Sequence, residues 1–97
     1  MLKNFQTYQL AEELFYTCEK LKLRHYMKEQ LQRAALSIVL NLSEGSAKPT
    51  KKDQKKYYAI AYASCREVQS ILSLSKKAEE FALADKLGGY LYRLVHN

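Results

Sequence analysis

Helix breakers are nearly missing from this chain: one proline and three glycines punctuate 97 residues. Gly and Pro are the strongest local interrupters, and strands need period-two patterning that is nowhere sustained here, so helix is the default from end to end. The sparse punctuation then divides the chain. Capping and turn residues place the expected helices at about 5–23, 28–44, 51–77 and 81–96.

Each segment carries an apolar face at helical spacing. The first opens after Asn4, a good N-cap, and aligns Tyr8, Ala11, Leu14, Phe15, Cys18 and Leu21. In the second, Leu31, Ala34, Ala35, Ile38 and Leu42 fall within about 100° of arc. Gly45-Ser46-Ala47-Lys48-Pro49-Thr50 is the clearest loop, with Gly45 in the position of a helix C-terminal stop and Thr50 with Asp53 approximating a capping box. The third helix keeps Tyr57, Ala61, Ser64, Val68, Ile71, Leu72 and Ser75 in register. The fourth uses Leu83, Leu87, Leu91, Leu94 and Val95, with Gly88-Gly89 either permitting close packing or marking a break. A chain of this length that is 47% hydrophobic affords one core, burying roughly 65% of its unfolded surface. The expected fold is therefore all-α, an antiparallel up-and-down four-helix bundle in which residues 1–97 form a single domain.

Two features of the second helix go beyond a simple bundle. A polar stripe of Gln30, Arg33, Ser37, Asn41 and Glu44 runs beside its core face, and polar groups so placed need hydrogen-bond partners. Glu67 and Ser64 of the third helix are the expected partners, with Glu67 set against Arg33. Leu36 and Leu40 lie on the opposite side, where only another helix or another subunit covers them. They are the expected oligomer interface.

Sixteen Lys and Arg against ten Asp and Glu give a formal charge of +6 and an isoelectric point near 9.3. Such a surface concentrates polyanions. The apolar run from Ala34 to Leu42 is far shorter than the roughly 20 residues of a membrane-spanning helix. Met1-Leu2-Lys3-Asn4-Phe5-Gln6 has neither an apolar core nor a small-residue cleavage site, so a cytoplasmic protein is expected. Cys18 and Cys65 lack CxxC or Cys/His ligand spacing and read as small core residues. His25 and His96 have no carboxylates at ligand spacing, so neither metal nor cofactor is expected. P-loop, GxGxxG, GxSxG and HExxH motifs are missing, and an enzyme is not expected.

The stretch from Gln30 to Gly45 reads Q-x-x-R-A-x-x-S-I-x-x-N-x-x-E-G. It resembles the signature of the bacterial four helix bundle protein family, which includes proteins encoded in intervening sequences of the 23S rRNA gene. That family is similar in turn to the accessory variability determinant proteins of diversity-generating retroelements. The likeness continues through Tyr57-Tyr58-Ala59-Ile60-Ala61, Ser64-Cys65-Arg66-Glu67-Val68 and Leu87-Gly88-Gly89-Tyr90-Leu91. It implies a protomer that assembles into a homopentameric ring. In the retroelement branch it also implies a basic surface that contacts nucleic acid and a reverse transcriptase.

The residues leave the function open between two classes. Lys48, Lys51, Lys52, Lys55 and Lys56 cluster at the start of the third helix, where Lys51, Lys55, Tyr58 and Tyr62 share a face suited to phosphate contact and base stacking. Lys20, Lys22, Arg24, His25 and Lys28 form a second basic group around the first loop. The competing reading makes the lysines a solvated helix start and the tyrosines core. The chain is then a protein-interaction module docking through Leu36 and Leu40.

Overall fold

The computed structural model describes residues 5–97. Among them the elements are α1 (Gln6–Glu19), α2 (His25–Ser46), α3 (Lys51–Leu74) and α4 (Ala78–His96), with no strand. Each helix packs on its sequence neighbour and α1 closes against α4, the cyclic arrangement of an up-and-down bundle. The body measures 40 × 21 × 20 Å. Its long axis is the length of α3, so the loops lie at the two ends.

The core follows from the apolar stripes. Leu14, Leu31, Ile38, Leu42, Leu72, Leu87 and Leu91 are wholly buried, each contributing about 1.5–3 kcal/mol of transfer free energy. Ala11, Ala34, Ala35, Ala61 and Ala84 fill the spaces between them, and their small side chains let the helix axes draw together. All of Leu31, Ala34, Ala35, Ile38 and Leu42 are buried as the spacing predicts. On α3 the buried stripe is Tyr58, Ala61, Cys65, Val68, Gln69, Ile71 and Leu72. It is rotated toward α4 relative to the expected Tyr57, Ser64 and Ser75, which are only half-buried.

Several boundaries move for identifiable reasons. α1 stops at Glu19 because the Lys28 ammonium donates to the Glu19 carbonyl at 2.8 Å and to that of Leu21, which holds 20–24 as a loop. Asn4 lies outside the described residues, and Phe5 stands in the capping position without a side-chain cap bond. The Thr50 hydroxyl accepts from the Asp53 amide at 3.2 Å, so the expected cap of α3 is formed. α3 ends at Leu74, earlier than Lys77, in a turn where the Lys77 amide donates to the Leu72 carbonyl at 2.9 Å and Lys76 takes the left-handed conformation at φ 57°.

The glycines are the main correction. Gly45 does not stop α2, which runs on to Ser46, and no glycine among the described residues has positive φ. Its role is close approach: a Cβ there would lie 2.7 Å from Tyr58 Cε1 and 3.1 Å from Tyr57 Cβ. α4 likewise passes unbroken through Gly88-Gly89. A Cβ on Gly88 would come within 3.1 Å of Gln69 Nε2, whereas one on Gly89 would meet nothing within 4 Å.

Cys18 and Cys65 are fully buried free thiols. Burial pushes both up to about 12, and Cys65 donates to the Ala84 carbonyl at 3.3 Å.

Two outcomes follow from this packing. Gly45→Ala gains helix propensity of about 1 kcal/mol but drives a methyl into the buried Tyr58 ring, a cost of about 1–3 kcal/mol. It should lower the melting temperature by several degrees, and Gly89→Ala should raise it. A thermal shift of the same sign in both would contradict the close-approach role. Because folding raises both thiol pKa values from 9.0 to about 12, their stabilisation is complete below pH 9.0 and is lost as pH rises through about 12. At pH 8 both thiols should react with a disulfide reagent only as fast as the protein opens. Labelling at free-thiol rates would contradict their burial.

Candidate nucleic-acid interface

Two residues of the polar stripe of α2, Gln30 and Ser37, find partners on α3 and fix the register of the two helices. The Ser37 and Ser64 hydroxyls bond at 2.7 Å, and Asn41 Nδ2 donates to the Ser37 carbonyl at 2.8 Å. One end of the stripe is tied by Gln30, whose Nε2 donates to Glu67 Oε2 at 2.7 Å. Arg33 is not the partner of Glu67: it is exposed, and among the described residues it forms no ion pair. The shorter amide of Gln30 sits on the side of α2 that faces α3, while Arg33 is turned further toward solvent. Glu44 leaves the stripe altogether and pairs with Lys48 at 3.1 Å. The Ser37–Ser64 and Gln30–Glu67 bonds are structural and tie the first half and middle of α2 to the second half of α3, and the end of α2 meets the start of α3 where Gly45 lies over Tyr57 and Tyr58.

That junction gathers Lys48, Lys51, Lys52, Lys55, Lys56 and Arg93. Lys51 and Lys55 of α3 and Arg93 of α4 line one cleft of about 210 Å³, with Gln54 and Tyr58 between them. Among the described residues none of the three cations has a carboxylate partner. Arg93 packs instead over the Tyr90 ring at 5.2 Å. Lys52 is exposed and equally unpaired among the described residues. Lys48 and Lys56 are less available. The Glu44 carboxylate holds the Lys48 ammonium above the usual lysine range while it sits 5.1 Å over the Tyr57 ring, and Lys56 lies 3.7 Å from Asp53.

Tyr58 does not fit the stacking role that its position beside Lys55 implies. Only 7% of it is exposed. Its ring lies under Gly45 and 6.3 Å from Phe5, and burial raises its pKa. It floors the cleft and cannot clasp a base. Tyr62, expected on the same face, instead meets Tyr92 edge-on at 6.0 Å.

The second basic group lies at the other end. Lys20, Lys22 and Arg24 are exposed, and contact of Ser75 with Met27 brings the α3–α4 turn beside them, adding Lys76 and Lys77. Lys28 leaves the group, because its ammonium is bound by backbone carbonyls of the first loop. Sequence patterning does not single out Arg93, Lys76 or Lys77. Helix parity is the signal that could, since in an up-and-down bundle the end of α4 returns to the start of α3.

Between the two ends runs an apolar ridge. Leu36 is 43%, Leu40 56% and Ile60 48% exposed. The Ser37–Ser64 bond sets the antiparallel register, so Leu40 and Ile60, one turn away on their helices, stand at similar height on the outer face.

No helix among the described residues is long and apolar enough to cross a membrane, and none of their His, Cys, Asp and Glu side chains form a group of three that could hold a metal ion. No curated protein and no solved structure matches the chain. One family model does match, over residues 3–86, a span that includes the Gln30-to-Gly45 pattern and stops short of Leu87-to-Leu91. The chain belongs to the family of 23S rRNA-intervening sequence proteins.

Proposed function

We propose that this protein is a non-enzymatic, basic bundle of the cytoplasm that binds RNA or DNA through phosphate contacts at the junction of α2, α3 and α4. The observation that carries this reading is the convergence of Lys51, Lys55 and Arg93, from two helices, on one cleft without a carboxylate partner among the described residues. Lys51 and Lys52 occupy the first turn of α3, where the helix dipole is already positive and cations cost stability. A phosphate placed there relieves both the dipole and the lysine repulsion. Unpaired charge held in an unfavourable place is better explained by a ligand than by solubility.

The Leu36, Leu40 and Ile60 ridge supports a second element of the proposal, self-association into a ring. Stacking protomers side by side would turn basic ends into continuous belts. The resemblance to the retroelement proteins supplies the five-fold stoichiometry, and a nucleic-acid enzyme such as a reverse transcriptase is the partner such a scaffold would serve. The same exposure favours the competing reading, in which the ridge docks a different protein and the charge has no nucleic-acid role.

Binding should be salt-sensitive and nearly indifferent to the choice of RNA or DNA backbone. Changing Lys51, Lys52, Lys55 and Lys56 to Gln should flatten the salt dependence of single-strand binding by about 0.7 log units for each phosphate that is no longer neutralised. The Lys51→Gln/Lys52→Gln pair alone should weaken binding and still raise the melting temperature by about 1–3 °C. Unaltered affinity in the fluorescence-anisotropy titration would remove the proposal. For the ridge, light scattering should show an oligomer that Leu40→Lys/Ile60→Lys converts to monomers, and a wild-type monomer would leave the ridge to another protein.

A further inference from the structure

A second cleft, further along the α3–α4 seam from the lysine junction, carries a different chemistry. It has a volume of about 300 Å³ and lies between α3 and α4, lined by Tyr62, Arg66, Gln69, Asp85, Gly89 and Tyr92. Gln69 is 6% exposed and its Oε1 has no hydrogen-bond donor among the described residues. Its Nε2 reaches the Ala84 carbonyl and Asp85 Oδ1 only at 3.5 Å each. A buried amide so poorly satisfied costs stability. The missing Cβ of Gly88, which would stand 3.1 Å from Gln69 Nε2, makes room for it.

The surroundings are also incomplete. Arg66 is exposed and has no ion-pair partner among the described residues. Nothing lies within 4 Å of the Cβ position of Gly89, so the α4 backbone is open there. One wall is aromatic: Tyr92 meets Tyr62 at 6.0 Å and is backed by His96 at 4.0 Å in a stacked arrangement. The cleft thus offers a cation, a carboxylate and a braced aromatic surface over a buried, poorly satisfied amide, which together suit a flat heterocycle with polar edges.

We propose that this cleft receives one guanine base of a single strand, a reading that rests on the proposed nucleic-acid function. Among the common bases, guanine alone presents two adjacent N–H donors beside a carbonyl acceptor on its Watson–Crick edge. The Asp85 carboxylate takes the paired donors, and Arg66 meets O6 and N7, the commonest specific contact to guanine. The Tyr62–Tyr92 wall packs against the ring. The lysine junction then supplies strand affinity without base preference, and the α3–α4 cleft supplies the preference.

The test uses fluorescence anisotropy of the full chain with a uridine-only single strand, the same strand with one central guanine, and the same strand with one central adenine. Guanine should tighten binding roughly tenfold over the other two. Asp85→Asn, an exposed substitution, should abolish that difference while the uridine strand still binds, slightly tighter for the lost negative charge, and Tyr92→Leu should reduce it. Equal affinity for all three strands overturns the guanine assignment alone and leaves the phosphate reading standing. Failure of every strand to bind overturns both. Free GMP displacing the guanine strand at concentrations equal to the strand's own affinity would identify a mononucleotide site and overturn the assignment to a strand.

Discussion

How closely α2 approaches α3 decides most of what this molecule presents to its surroundings. The approach is set at one level by the Ser37–Ser64 hydrogen bond of 2.7 Å and at another by the bare backbone of Gly45 over Tyr58. Small residues at a helix contact draw the axes together, and a hydrogen bond between hydroxyls fixes how far one helix slides along the other. With that register set, Pro49 and Thr50 turn the chain straight into the first turn of α3, where the lysines stand. α4 then returns Arg93 to the same place. The basic cleft is thus a product of bundle topology and not of one sequence segment.

Stability and surface chemistry pull in opposite directions around this junction. At the start of α4, Glu79 and Glu80 complement the helix dipole, and Arg93 and His96 complement it at the end. At the start of α3 only Asp53 does so, against Lys51 and Lys52. One helix of the same bundle is therefore electrostatically well formed and another is strained at the end that carries the charge. Marginally stable domains tolerate such local costs where the surface serves a function. In the proposed account, that function is gathering a phosphate backbone.

Much of this is legible in the sequence, to a depth set by how cleanly each helix separates its faces. Every core position of α2 can be read from spacing because its apolar stripe, polar stripe and outer leucines occupy distinct arcs. On α3 the spacing finds Ala61, Val68, Ile71 and Leu72 but points one position off at Tyr57 and Ser64, where Tyr58 and Cys65 are the buried residues. Its adjacent tyrosines 57 and 58 both look apolar, and the buried Gln69 looks like a surface residue, so the true stripe through Tyr58, Cys65 and Gln69 is hidden. Gly45 misleads for a related reason: a glycine near a helix end signals a stop by local rules, and only its neighbour across the seam reveals close packing. Lys28 and Tyr58 carry the right chemistry for a nucleic-acid site, yet tertiary contacts claim one for backbone carbonyls and the other for the core. Ile60, Arg93 and the α3–α4 cleft depend on which helices adjoin, which periodicity within one helix does not encode.

Mapping lysine reactivity by mass spectrometry, with and without a saturating single strand, shows most directly where a phosphate backbone lies, because every lysine of the chain reports at once. Protection of Lys51, Lys52 and Lys55 is expected, with Lys28 little changed because its ammonium is already bound by the first loop. Uniform reactivity, or protection confined to lysines away from the start of α3, would contradict binding at the lysine junction.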